Sequence, residues 1–190
     1  VTLQEDGPFK SGTLAAQILI DNPTVSERTS FSSTNVANTT GTIYQTNKTE
    51  DGSTVYYYSG NTTNNWVKFG KFTTTDKSLW RSGDDIYWRI IRTNEDKSVR
   101  MLYAGPNHTT TTGYIGTSDF MNGRASGPMY VGYMYGTSGS LANNRTNTND
   151  SAIKKTIDTW YKNDLLSSYG KYISKTAIYC NDRSTQNNSY

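Results

Sequence analysis

The segment DDIYWRIIRTNEDKSVRMLYAG, Asp84 to Gly105, constrains the fold of this chain more than any other stretch. Two runs rich in aromatic and β-branched residues flank the polar knot TNEDK. Side chains of an extended strand point alternately to its two faces. Ile86, Trp88 and Ile90 therefore share one face, and Tyr87, Arg89 and Ile91 the other. The second run repeats the pattern, with Val99, Met101 and Tyr103 opposed to Arg100 and Leu102. The two runs predict an antiparallel hairpin. Both of its faces carry apolar residues, which places the pair centrally in a sheet, with Arg89, Arg92 and Arg100 at its wetter face or ends.

Whatever packs on that hairpin must be built largely from rings. Only 33% of the 190 residues are hydrophobic, and Tyr (15) outnumbers Phe (5) and Trp (4) together. A tyrosine brings a large buried area but needs a partner for its hydroxyl. The length suits one domain. Charged residues make up 18%, below the usual quarter, and Thr, Ser, Asn and Gly fill the remainder. That balance is typical of secreted or surface-displayed bacterial proteins. Disordered chains instead combine few aromatics with high charge. The net charge of +3 comes from scattered Lys and Arg, so no clustered basic face points to nucleic acid. No apolar run approaches the ~20 residues of a membrane span. The one cysteine, Cys180, leaves no internal disulfide and no multi-cysteine zinc site.

The flanking segments supply the remaining elements. SGTLAAQILIDNP predicts a short helix, capped by Ser11 or Thr13, striped by Leu14, Ile18 and Leu19 and ended by Pro23. From Thr24 to Thr42 the chain reads as an extended, surface-hugging segment. TIYQTNKTEDGSTVYYYSG predicts a second hairpin, with Asp51-Gly52 at the turn. NNWVKFGKF adds a strand bearing Trp66, Phe69 and Phe72. Residues 107–150 form a long Gly-, Thr- and Asn-rich loop region, a feature often functional in compact domains. NDSAIKKTIDTWYKNDLL predicts an amphipathic helix, capped by Asn149, Asp150 or Ser151, with Ile153, Ile157, Trp160 and Tyr161 on one buried face. Trp160 and Ile157 are expected to cover Trp88 and Ile90. KYISKTAIYCNDRS predicts a turn and a strand.

These elements predict an α+β fold: an antiparallel β-sheet with one amphipathic helix packed on it, a short N-terminal helix and long loops. Residues 1–42 are expected to hold the N-terminal helix and extended segment. Residues 43–184 form the α+β domain, incomplete at its C-terminus, and 185–190 a frayed tail.

Several positions invite a chemical role, each with a plainer alternative. His108 is the only histidine, so paired-histidine metal sites are impossible, and no nucleophile-elbow motif accompanies it; it reads as an exposed loop residue. Asp84-Asp85, Glu95-Asp96 and Asp182 fall at strand ends or turns. As glycosidase carboxylates they would need a defined separation across a cleft, which spacing alone does not reveal. NNRTNTND, Asn143 to Asp150, alternates oxygen side chains like a calcium loop, yet lacks the distal bidentate Glu and central Gly; helix capping is its other role. Tyr130, Tyr133 and Tyr135, with Met129, Met134 and nearby Asn143, form either a contact surface suited to sugar rings or an aromatic plug over the sheet. No cofactor is expected.

The blocks NWVKFG, YWRIIRTNEDKSVRMLY, YVGYMYGT, NTNDSAIKKTIDTWYKNDL and YCNDRS resemble, in this order and spacing, a group of uncharacterised secreted or cell-surface proteins of gut Firmicutes. The resemblance runs from Leu14 to Ser184. More distantly, WRII…VRML followed by a helix is similar to modules of the C-type lectin and sulfatase-modifying-factor fold. The resemblance implies a non-catalytic extracellular bacterial surface domain for adhesion or ligand binding. Host or bacterial glycans or surface proteins are the partner classes, with homodimer or filament contacts also possible. A structural, pilin-like subunit lacking its anchor helix is the alternative, and an enzyme the third. Such chains usually continue past the CNDRS block. Cys180 is therefore expected to pair with a cysteine beyond Tyr190, although a buried thiol and a nucleophile are further readings of it.

Overall fold

The computed structural model describes residues 8–29, 42–60, 62–76, 78–109, 113–121, 132–137, 140 and 142–177. Helix α1 spans Leu14–Asp21. Thr13 caps it, its hydroxyl accepting from the Ala16 N–H at 3.3 Å. A hydroxyl there satisfies one of the orphan donors of the first turn. Asn22 closes the other end, just before Pro23. Its buried side chain donates to the Ile18 carbonyl and to the Tyr58 hydroxyl.

Six strands form one sheet: β1 Thr24–Glu27, β2 Thr42–Thr46, β3 Val55–Tyr57, β4 Trp66–Lys71, β5 Asp85–Thr93 and β6 Val99–Gly105. The nine-residue β5 is the hub. It pairs with β3 and β4 along one edge and with β6 along the other. Tyr58 donates to the Ile91 carbonyl, and the neighbouring Ile90 donates to the Asn65 carbonyl. β3 and β4 thus form one line along β5, which the chain leaves after Tyr58 and rejoins at Asn65.

The sheet is mixed, and this departs from the antiparallel expectation. β1 runs parallel to β2, while the other pairs are antiparallel. The connections explain it. A parallel neighbour needs a link of a dozen or more residues, and residues 28–41 supply one. The β2–β3 connection bends at Asp51-Gly52: Gly52 takes φ 77° and the Ser53 N–H donates to the Asp51 carboxylate at 2.9 Å. The β5–β6 turn closes through an Asn94 N–H to Ser98 carbonyl bond, with Lys97 at φ 69°. Only β5 of that hairpin is interior; β6 has one partner among the described strands.

The alternation along β5 and β6 holds. Both helical regions lie on the face of Ile86, Trp88 and Ile90, over different ends of the sheet. At one end α1 packs through Ile18 on Ile43 and Ile90, an aliphatic core. At the other, Phe72, Trp80, Ile86 and Leu165 form an aromatic core flanked by Trp88, Tyr103, Trp160 and Tyr169. Phe72 stacks on Trp80 at 4.4 Å between centroids. Each fully buried side chain of this size contributes about 1.5–3 kcal/mol by leaving water.

The second core is closed by helix α2, Ala152–Trp160, which continues as a π-helical turn over Tyr161–Leu166. Ser151 is the cap, its buried hydroxyl accepting from the Lys154 N–H. The expected packing is only half right. Trp160 meets Trp88 and Tyr103, with ring centroids 6.3 and 5.2 Å away. Ile157 instead is 48% exposed, and Ile90 belongs to the α1 core. The cause is where the helix lands. α2 itself fully buries no residue; the π turn is what meets β4. The π turn buries Asp164 and Leu165. Leu165 fits because β4 carries Gly70 at φ 92°, where a Cβ would stand 2.9 Å from the Leu165 Cδ2. Asp164 accepts from the N–H groups of Thr73 and Thr74 at 2.6 and 3.2 Å, bracing the strand end beside the core.

Of the segment before residue 42, α1 packs on the sheet through Ile18 and β1 pairs with β2. The expected strand at 177–181 falls almost wholly outside the described residues, as do Cys180, Asp182 and the tail. Among the described residues, no helix is long and apolar enough to cross a membrane.

Candidate functional site

The opposite face of β4, β5 and β6 carries no described helix. Cross-strand register lays out two rows on it. Trp66 of β4 lies beside Arg89 of β5, which lies beside Leu102 of β6. One step along, Lys68 lies beside Tyr87, which lies beside Gly105. Directly opposed residues share a face and touch. The first row follows from the alternation that sends Trp88 and Tyr103 into the core, and the second from a register shift that sets Gly105 opposite Tyr87.

The chain after β6 then folds back. His108 stacks on Trp66, with centroids 4.7 Å apart and planes 22° from parallel. Tyr87 completes a triangle, 5.7 Å from Trp66 and 5.9 Å from His108. The fold-back is held by Arg89, which donates to the His108 carbonyl at 2.9 Å and to the Asn65 side-chain oxygen at 3.2 Å. Trp66 is 39% exposed, and His108 is exposed too. Trp66 opens β4, the last strand in the described order, so these rings stand partly in water near the sheet edge, a grouping that suits a contact surface.

Charge surrounds the rings. Asp85 is bonded by Lys68 at 2.8 Å and Lys71 at 2.6 Å. Those two lysine hydrogen bonds pull its carboxyl down to about 2, and the same bonds raise both lysines. Lys68 also lies 5.3 Å from the Tyr87 centroid. Arg92 pairs with Glu95 at 3.1 Å.

Of the residues singled out from the sequence, His108 and Asp85 belong to this face, and the Tyr and Asn ligand candidates sit elsewhere. Tyr133 is exposed. Tyr135 is half-buried, bridges to Asp150 through its backbone, and carries Lys154 5.5 Å from its ring centroid. Asn143 donates to the Thr137 hydroxyl at 2.9 Å and lies in the 3₁₀ turn Ala142–Arg145. Tyr135 and Asn143 thus help organise the loop that leads into α2, with Tyr133 at its outer side. Tyr130 lies outside the described residues. Asp150, once a calcium candidate, is paired with Lys154 at 3.1 Å. No group of three or more acidic, His or Cys side chains that could hold a metal occurs among the described residues.

Sequence reasoning placed Tyr87 and Arg89 on one face but missed the site they build with Trp66 and His108. The signal was partial: W-x-K in NWVKFG sets Trp66 and Lys68 on one face of a strand, and Y-x-R does the same for Tyr87 and Arg89. Nothing in the spacing shows that His108 returns to cover Trp66. No family model matches the chain, and no curated protein or solved structure matches it either.

Proposed function

We propose that this chain is a non-catalytic, extracellular bacterial surface domain for adhesion or ligand binding, and that the open sheet face around Trp66 is where a glycan docks. The observation that carries this reading is the exposed Trp66–His108–Tyr87 cluster, rimmed by Asn65, Lys68 and Arg89. Apolar C–H faces of sugar rings stack on such side chains while amide and charged groups bond the hydroxyls. The state of the carboxylates supports a binding role over catalysis. Asp84 accepts from the Arg81 N–H, Asp85 is held by two lysines, Glu95 by Arg92, and Asp96 by Ser98. Each is spent on a turn or an ion pair rather than poised over a cleft. The composition and the resemblance to secreted Firmicutes proteins support the extracellular setting.

The test is glycan binding read at Trp66. Titration of a panel of neutral and acidic oligosaccharides should change tryptophan emission in the intact protein, and Trp66→Phe should remove most of that change. Panel-wide silence, or a signal that survives Trp66→Ala, would refute the site.

A further inference from the structure

The charge balance of the open face narrows the ligand class, resting on the binding reading above. Among the described residues, three cations border the ring cluster: Lys68, Lys71 and Arg89. One carboxylate, Asp85, serves both lysines. Among the described residues, the acceptors of Arg89 are both neutral, the Asn65 amide oxygen and the His108 carbonyl. A guanidinium carries five N–H donors in a planar fork. The two bonds therefore leave three donors unused by the described residues. Register sets this group immediately beside Trp66, and Leu102, 60% exposed, extends the apolar surface on its far side. An unspent guanidinium next to an exposed ring matches a ligand that joins a stacking face to a planar anion.

We infer that the Trp66 face selects carboxylated sugars, with Arg89 receiving the carboxylate while the sugar ring lies against the Trp66–His108 pair. Arg suits this because its fork donates two parallel hydrogen bonds to one carboxylate, which a lysine ammonium does not offer. The two lysines add a favourable field but are partly neutralised by Asp85. Neutral sugars keep the stacking and lose the ion pair.

Calorimetric titration of the full chain with two matched pairs tests this: 3′-sialyllactose against lactose, and trigalacturonate against its methyl ester. The acidic member of at least one pair should bind about tenfold or more tightly, equal to roughly 1.4 kcal/mol. The pair that shows the gap tells a sialylated source from a uronate one. The gap should shrink as salt is raised. Arg89→Gln should bring the ratio close to one, and Arg89→Lys should leave an intermediate preference. Thermal melts of both variants confirm that they fold; if Arg89→Gln unfolds, the Arg89→Lys ratio decides alone. Equal affinities within both pairs, or a preference untouched in the folded Arg89 variants, overturns the carboxylate assignment. Equal affinities that still depend on Trp66 would do so while leaving the binding face intact. Absence of all binding, charged and neutral, or binding untouched by Trp66→Ala, would instead remove the face itself.

Discussion

Trp66 and Trp88 sit on adjacent strands, two residues of one type on opposite faces of one sheet. Trp88 turns inward, where its indole N–H donates to the Phe69 carbonyl at 2.7 Å and its ring meets Phe69, Tyr103 and Trp160. Trp66 turns outward, where it meets Tyr87 and His108 and stays 39% exposed. Residue type therefore does not decide role here; strand parity and the side on which the helices land do. Changes on the inner face should cost stability, and changes on the outer face should leave stability nearly untouched while altering recognition.

The largest expected effect is on the inner face. Phe72 is fully buried against Trp80 and is lost to a cavity in Phe72→Ala, which should destabilise by roughly 3–5 kcal/mol. Trp66→Ala should change stability by about 0.5 kcal/mol or a little more, the usual range for a surface site. Urea unfolding of both variants checks the contrast directly, and similar midpoints for the two would break it.

Gly70 is the next test, because its missing side chain makes room for Leu165 on the inner face. A Cβ there must displace Leu165 and occupy φ 92°. Gly70→Ala should cost roughly 2–4 kcal/mol from overpacking and left-handed strain together. Reducing Leu165 to Ala in the same background should recover part of that loss, because it removes the clash and not the strain; a double mutant no better than additive would show that φ alone matters.

The third test moves to the outer face and to pH. Asp85 is held down to about 2 by Lys68 and Lys71. A carboxylate whose folded value lies below its unfolded value adds stability above the unfolded value, near 3.8, and loses it as pH falls through about 2. The Asp85 contribution should thus fade between pH 4 and pH 2, and Asp85→Asn should flatten that part of the stability profile. The pair is solvent-exposed, so the effect should be small and screened by salt. An unchanged profile would mean that the two ion pairs do not persist in solution.

The smallest effect concerns two polar atoms on the inner face. The Tyr103 hydroxyl and the Trp160 indole N–H are buried without a hydrogen-bond partner. Burial pushes the Tyr103 phenol well above its ordinary range, with the nearby Asp164 charge adding to the shift. A donor that folding leaves unsatisfied weakens the fold, so Tyr103→Phe should be neutral or stabilise by up to about 1 kcal/mol. It should also remove a stability loss above pH 10, since a raised folded value adds stability below the unfolded value and gives it up as pH rises. A clear destabilisation by Tyr103→Phe would indicate a partner for the hydroxyl, such as a buried water.

Much of this architecture follows from local patterning. The period-two alternation of IYWRII and VRMLY, the Asp51-Gly52 turn, the Thr13 and Ser151 caps and the stop at Pro23 are properties of a few neighbouring residues. Short-range sterics and hydrogen bonding settle them before any long-range contact forms. The α+β class, both helices and the face assignments of β5 and β6 were legible for that reason. The direction of β1 was not, because nothing in Thr24–Glu27 tells whether the chain returns parallel or antiparallel; the length of its connection decides. Nor did helical periodicity place Ile157, since the stripe at 153, 157, 160 and 161 assumes unbroken α geometry along a sheet long enough to meet it. The π turn over Tyr161–Leu166 shifts the buried face to Asp164 and Leu165, and it fits only because Gly70, far away in sequence, leaves room. The candidate site has the same history. Period-two alternation decides the side of the strand on which Tyr87, Arg89, Trp66 and Lys68 stand. That this side is the one without a described helix, and that His108 folds onto Trp66 under the hold of Arg89, came from tertiary packing: both helical regions bury their apolar side chains on the same face, and Trp66 and Leu102 stay exposed on the other.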